Sequence, residues 1–314
     1  MICSNTEEII MFKIGVQTGG IEEHFGIEDT YRLVKEAGFD AVDVNLDHLL
    51  GGGKIRNHEH VPAFDAEGDE CLAYFKPWKD AAEKYGIDNY QAHAPFPCYV
   101  AEPSNGYNDY LLDVLKKTIA GCAYIGCKRL IVHPFFLGYD EQLDPQTEWD
   151  LNIQRYSELI PTAKEYGVTI CLENMFTGYR GKRYAAICSD ITLACKYIDT
   201  LNEIAGERLF AFCLDTGHLL LLGKDVKNAM IQLGDRIECF HVHDNDGEGD
   251  LHMPPYTGKL DWNRFVEGLK AINFHQTLSF ETFNILNYLD PALAPSILRF
   301  IADCGHRFAQ RAAE

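Results

Sequence analysis

The sequence predicts an α/β fold, a (β/α)8 TIM barrel forming a single domain. Three observations predict it. Eight short, mostly apolar runs of β character alternate with helical stretches along the 314 residues. No linker or low-complexity segment interrupts the alternation. Six consecutive runs finish on His, Asp or Glu, and in a parallel barrel the strand ends converge on one face, where the active site lies.

The eight runs lie at 13–17, 41–45, 87–93, 128–133, 169–173, 210–215, 237–243 and 277–281. Each is short and largely apolar, as a strand covered on both faces must be. Helical patterns lie between them, at 28–37, 71–85, 109–125, 149–166, 189–204, 225–233, 261–272 and 291–308. Gly38, Gly86, Gly126 and Gly167 stand just past the first four, where a left-handed residue closes a helix end. An open doubly wound sheet would instead carry a Gly-rich phosphate turn after its first strand. Here that turn reads Thr18-Gly19-Gly20-Ile21-Glu22. Residues 1–11 are polar and mixed and form an N-terminal extension, which leaves 12–314 as the catalytic barrel. The segment 46–70 is long for a βα loop and reads as a lid hinged at Gly51-Gly52-Gly53.

Composition narrows the class of partner. With 46% hydrophobic residues the chain can bury a full core. Lys plus Arg number 28 against 47 Asp plus Glu, a net charge of -19. That surface repels polyphosphate and anionic membranes at long range, so neither nucleic acid nor a membrane is the expected partner. No apolar run approaches the roughly 20 residues of a membrane span, and no signal-peptide pattern opens the chain. The eleven cysteines are scattered without a CxxC, and Cys171, Cys213 and Cys239 lie inside apolar strands. Buried free thiols in a reducing, cytoplasmic setting fit this usage.

The strand ends carry the chemistry. They read His93, His133, Glu173, Asp215, His241 and Glu281 in order. Carboxylates crowded at one barrel mouth repel one another unless a cation lies among them. Glu173, Asp215, His241 and Glu281 make a hard ligand set for one divalent ion, manganese, magnesium or cobalt, with zinc also admissible. His241 and His243 point to the same side of their strand. His241 is taken as the ligand, His243 as an alternative ligand or a packed neighbour, and Asp244 as a residue orienting an imidazole.

These segments form an ordered series: HAPF (93–96), HPF (133–135), LEN (172–174), LDTGH (214–218), HVHDNDG (241–247), DLHMPPYTGKLDW (250–262) and FET (280–282). The series resembles the xylose-isomerase-like superfamily, which includes sugar and sugar-phosphate isomerases and epimerases, inosose-processing enzymes and endonuclease IV. In the isomerase and epimerase branch the resemblance implies one metal held by Glu173, Asp215, His241 and Glu281. It implies a small carbohydrate substrate and proton abstraction next to a carbonyl through a metal-stabilised enediolate. Glu173 and Glu281 would exchange the proton. His93, His133, His218, His252 and Arg180, from the basic segment 179–183, would contact substrate. A lyase or dehydratase acting on a keto-sugar or inosose would use the same site. Members of the superfamily often form homo-oligomers, although no residue pattern here fixes an interface. The endonuclease branch holds three zinc ions, and His93, His133, Glu173, Asp215, His218, His241, Asp250, His252 and Glu281 match its ligand types in order. Ketohexose epimerases carry an Arg a few residues past the seventh-strand His. Residues 242–249 contain neither Arg nor Lys, so ketohexose specificity is not expected, and His252 takes up that space.

Overall fold

The computed structural model describes residues 12–136, 144–179 and 182–314. The extension 1–11 and Arg180 lie outside the described residues. Eight parallel strands form the barrel: β1 (Lys13–Gln17), β2 (Ala41–Asn45), β3 (Asp88–His93), β4 (Arg129–Ile131), β5 (Thr169–Glu173), β6 (Phe210–Asp215), β7 (Ile237–His241) and β8 (Thr277–Phe280). Neighbours in the chain are neighbours in the sheet, and β1 pairs with β8 with Lys13 opposite Thr277. The seam between β7 and β8 closes through two hydrogen bonds, Val242 N to Ser279 O at 2.9 Å and Glu281 N to Val242 O at 3.1 Å. The expected TIM barrel is the observed one, with four strands at their expected bounds and four trimmed by one to three residues.

Period-two alternation divides each strand between two layers. Ile14, Val16, Val42, Val44, Ile170, Leu172, Phe212, Leu214 and Phe240 join the large apolar layer beneath the helices. Burying such side chains contributes about 1.5–3 kcal/mol each. Ile131, Cys171, Ala211, Cys213 and Cys239 form a separate cluster inside the barrel. The Sγ atoms of Cys171 and Cys239 approach to 3.6 Å without a disulfide. The C-terminal helix Ala294–Ala313 packs close to β1 and β8 because Gly305 has no side chain. A Cβ there would sit 2.6 Å from Ile14 and 2.8 Å from Phe280.

Proline explains where two expected helices divide. The stretch 71–85 is two helices, Gly68–Ala73 and Lys76–Tyr85, and Pro77 occupies the first turn of the second. The stretch 149–166 splits into Pro145–Ser157 and Ile160–Tyr166, with Pro161 in the second first turn. Proline is at home in a first turn and breaks a helix interior. The first helical segment, Ile21–Ala37, is broken by a kink at Gly26 (φ 74°, ψ 168°), and the expected helix at 28–37 lies in the piece after that kink.

The segment 46–70 is a packed wall. It contains the helices Gly52–Arg56 and Pro62–Asp65, and Leu46, Leu50, Ile55, Val61 and Phe64 are buried. Gly51–Gly53 begins a helix, and a Cβ on Gly52 would meet the Phe96 carbonyl at 2.9 Å. Close approach of two backbones accounts for that glycine, in place of the expected hinge. An antiparallel hairpin, Phe176–Tyr179 with Lys182–Ala185, follows β5 and had no counterpart among the expected elements. Among the described residues no helix is long and apolar enough to cross a membrane.

Candidate active site

Strand direction brings the predicted residues together at the C-terminal mouth. Glu173 ends β5, Asp215 ends β6, His241 ends β7 and Glu281 follows β8; all four are buried. Glu173 Oε2 lies 3.1 Å from His241 Nδ1 and 3.1 Å from His133 Nε2. Neither Glu173 Oε2 nor His241 Nδ1 has a hydrogen-bond partner of acceptable geometry. Leaving a buried polar atom unpaired costs about 1–3 kcal/mol. Glu281 Oε2 stands 3.5 Å from the same His241 Nδ1. Ligand atoms of Asp215, His241 and Glu281 lie within 4.8 Å of one another, as do those of Glu173, Cys213 and His241. Three carboxylates and one imidazole converging here, with Glu173 Oε2 and His241 Nδ1 unpaired, fit a divalent cation.

Buried neighbours orient each of these groups. Asp43, in the middle of β2, places Oδ2 3.0 Å from His241 Nε2 and also accepts from Gln91 Nε2 at 2.9 Å. An acceptor at Nε2 holds a proton on that nitrogen and turns Nδ1 toward Glu173 and Glu281. Gln17 donates to Glu281 Oε1 at 2.7 Å. Asn174 clamps the Asp215 backbone through two 2.9 Å hydrogen bonds. His243 places Nε2 3.0 and 3.1 Å from the two Asp215 carboxylate oxygens. Its ring fits flat against Gly217, where a Cβ would be 2.0 Å from Cε1. His243 thus packs against Asp215, and its Nδ1 is buried and unpaired. Asp244 does not orient an imidazole. Its carboxylate instead accepts from Gly258 N, Leu260 N and Trp262 Nε1, and so folds the loop after β7 back on itself.

Four further histidines ring the cradle. His93 and His133 meet Nε2 to Nε2 at 2.8 Å, and His93 Nδ1 lies 2.8 Å from Ala94 O. His218 Nδ1 lies 2.8 Å from Asn174 O, and its Nε2 is 3.5 Å from Asp250. His252 bridges Asp250 at 3.1 Å and Glu281 Oε2 at 3.3 Å. A phenyl ring packs on three of them: Phe96 on His133, Phe176 on His218 and Phe283 on His252. Burial and the neighbouring imidazoles of His133 and His241 hold His93 down to about 4. Burial also works against charge on His218, but Asp215, Asp250 and Glu173 outweigh it and raise that imidazole to about 10. Burial would raise Glu173 and Glu281; His241 together with His133 or His252 holds both below the usual carboxylate range. Both acids are thus ionised.

These groups line a cavity of about 320 Å³. Asp47, from the turn after β2, also faces it, and burial pushes its carboxyl up to about 6 against the hydrogen bond from Phe96 N. Arg183, from the basic segment 179–183, donates to the Glu248 carbonyl and lies over Phe176. Six of the eight described residues of the expected site line this cavity, and the other two, Asp215 and His241, adjoin Glu281. Asp43 and Gln17 were not among them. A lone acid inside the apolar run Ala-Val-Asp-Val-Asn was the available signal for the first, and the strand-end rule extended to β1 would have found the second.

A family model, the xylose isomerase-like TIM barrel, matches residues 31–304. The chain belongs to this family. An uncharacterized protein of Methanocaldococcus jannaschii is 29% identical over 165 residues, which span 52% of this chain and 57% of that relative. A probable endonuclease 4 of Mycobacterium tuberculosis is 26% identical over 243 residues, 71% of this chain and 89% of that protein. Among solved structures, the apo 3-keto-D-glucoside 4-epimerase of E. coli superposes with a TM-score of 0.68 at 18% identity, covering 93% of this chain and all of that one. The fold shared within the family is that of the sugar epimerases, and relatives named endonuclease 4 belong to the same circle.

Proposed function

We propose that the protein is a metal-dependent isomerase or epimerase of a small sugar or cyclitol, working by proton transfer at the carbon beside a carbonyl. One observation carries this reading: Glu173 Oε2 and His241 Nδ1 are buried, unpaired and 3.1 Å apart, and Glu173 and Glu281 extend from that point to line the cavity. Glu173, Asp215, His241 and Glu281 would hold the ion, manganese, magnesium, cobalt or zinc. Bound there, it would supply Lewis-acid polarisation of adjacent substrate oxygens. Glu281 is ionised and held at Oε1 by Gln17, so Oε2 is the atom that takes a proton. Glu173, ionised at the end of β5 across the barrel mouth, returns a proton to a different face or carbon. His218 and His252 offer ring N–H groups to substrate hydroxyls, and Phe96, Phe176 and Phe283 exclude water from the reacting atoms. Elimination of a neighbouring substituent, a lyase outcome, would begin with the same proton removal. The sugar epimerases among the solved relatives of this fold support the substrate class.

Solvent-exchange spectroscopy tests the reading. Metal-loaded protein in D2O is expected to place deuterium beside the carbonyl of at least one ketose or inosose in a panel. Chelation or Glu281→Gln should abolish the exchange. Exchange that survives Glu281→Gln would remove Glu281 from the chemistry.

An endonuclease reading has its own observation. Ligand atoms of His93, His133 and Glu173 form one compact group and those of His243, Asp250 and His252 another, and Asp250 Oδ1 is buried and unpaired. Space for additional ions follows from that geometry. Against it stands the net charge of -19, which opposes the phosphate neutralisation that duplex binding requires. Chelator-sensitive cleavage of abasic DNA in place of deuterium exchange would establish this second reading.

A further inference from the structure

We propose that Gln17 and Asn45, at the ends of β1 and β2, with Glu23 and Asp47 just beyond them, form a subsite that reads hydroxyl groups at the far end of the substrate and turns away a phosphomonoester. The inference rests on the sugar-like substrate proposed above and adds its charge class.

Gln17 is 3% exposed and lines the cavity. Its amide nitrogen faces the Glu281 carboxylate at 2.7 Å. An ionised carboxylate only accepts, so the NH2 group must face it and the amide oxygen must face away. That Oε1 is buried and has no partner. It awaits a donor, and the cavity is where a donor can come from.

The adjoining groups complete the pattern. Asp47 accepts from Phe96 N through Oδ1 at 2.9 Å, which leaves Oδ2 with no hydrogen bond among the described residues. Asn45 spends its oxygen on the Asp47 amide at 3.0 Å and keeps its NH2 for the cavity. Glu23 stands exposed at the rim. Gly19 keeps the space between the two amides open: a Cβ there would lie 2.6 Å from Asn45 Nδ2 and 3.0 Å from Gln17 Oε1.

Three acceptors and one amide donor match hydroxyl groups, which donate and accept in turn. A phosphate dianion brings acceptors and about two negative charges toward Asp47 and Glu23, and like charges in a partly enclosed site repel strongly. Among the described residues no Lys or Arg lines the cavity to offset that repulsion. A site built to bond hydroxyls discriminates steeply against a group that leaves its acceptors unpaired.

Calorimetric binding to the metal-loaded protein tests the subsite. The probes are two pairs, D-ribulose with D-ribulose 5-phosphate and D-fructose with D-fructose 6-phosphate. In at least one pair the plain sugar is expected to bind tenfold or more tightly than its phosphate. The double variant Asp47→Asn/Glu23→Gln should narrow that gap at least threefold while metal content and circular dichroism stay at wild-type values. An unchanged gap in the variant would overturn the subsite. A phosphate that binds as well as or better than its parent, and undergoes deuterium exchange, would overturn the subsite and leave the isomerase reading standing. A plain sugar that binds with the expected preference but never exchanges would support the subsite and remove the isomerase reading. Absence of binding by all four probes would overturn the subsite.

Discussion

Asp43 and His241 meet with a carboxylate oxygen 3.0 Å from the imidazole Nε2, and neither side chain is more than 1% exposed. The pair joins β2 to β7 across the barrel interior and decides which nitrogen of His241 faces the cradle. Asp43→Asn removes the charge and weakens the hold on that tautomer. Such supporting residues are worth about 10–100-fold in metal affinity. Competition with a chromophoric chelator should show a loss of that order with thermal stability largely kept. Wild-type affinity in the variant would mean that Asp43 does not set the ligand geometry.

Gly217 is required by the ring of His243. A Cβ would lie 2.0 Å from His243 Cε1, and neither group can retreat because both are buried. Gly217→Ala is expected to cost about 1–3 kcal/mol of stability, the usual penalty for overpacking. It should also weaken metal binding, because His243 contacts both oxygens of Asp215. Urea denaturation and metal titration measure the two effects. A variant that matches wild type in both would show that the ring has room to move.

Much of this site was legible in the residues. The strands end where the pattern turns polar, and the alternation that makes a strand also fixes which side chains face inward. His93, His133, Glu173, Asp215, His241 and Glu281 could therefore be placed at one mouth from order alone. Asp43 escaped because it acts across the barrel from mid-strand, and no local spacing records a contact between residues 198 apart. The hairpin at 176–185 escaped because its strands are four residues each, too short to declare a period. The wall at 46–70 looked like a loop because its helices are brief and glycine-rich at the start; burial of Leu50, Ile55 and Phe64 against the body of the protein holds them in place.

Glu281→Gln should reduce turnover by about 10²–10⁴-fold, the typical contribution of a positioned general base. Gln17 can still donate to the substituted amide oxygen, so the variant should remain folded. Steady-state kinetics beside circular dichroism separates the two outcomes. A tenfold loss or less would demote Glu281 from base to bystander.

Glu22 supplies a pH signature away from the ligands. Burial raises its carboxyl from the ordinary 4.5 to about 7, against hydrogen bonds from Trp78 and Thr18. The folded state thus binds this proton more tightly than the unfolded chain does. The stabilisation is fully present below about pH 4.5 and is lost as pH rises through about 7. Glu22→Gln abolishes the titration, so its stability relative to wild type should improve by roughly 3 kcal/mol between pH 4 and pH 8. Denaturant midpoints at several pH values check this, and parallel curves for the two proteins would refute it.

Metal content per chain, measured by mass spectrometry on protein purified without added metal, tests the central claim most directly. One manganese, magnesium, cobalt or zinc per chain, lost in a variant carrying Asp215→Asn and His241→Gln, is the expected result. Two or three zinc ions per chain, or none that this variant displaces, would contradict a single enolising centre; the higher count would direct the next assays to abasic DNA.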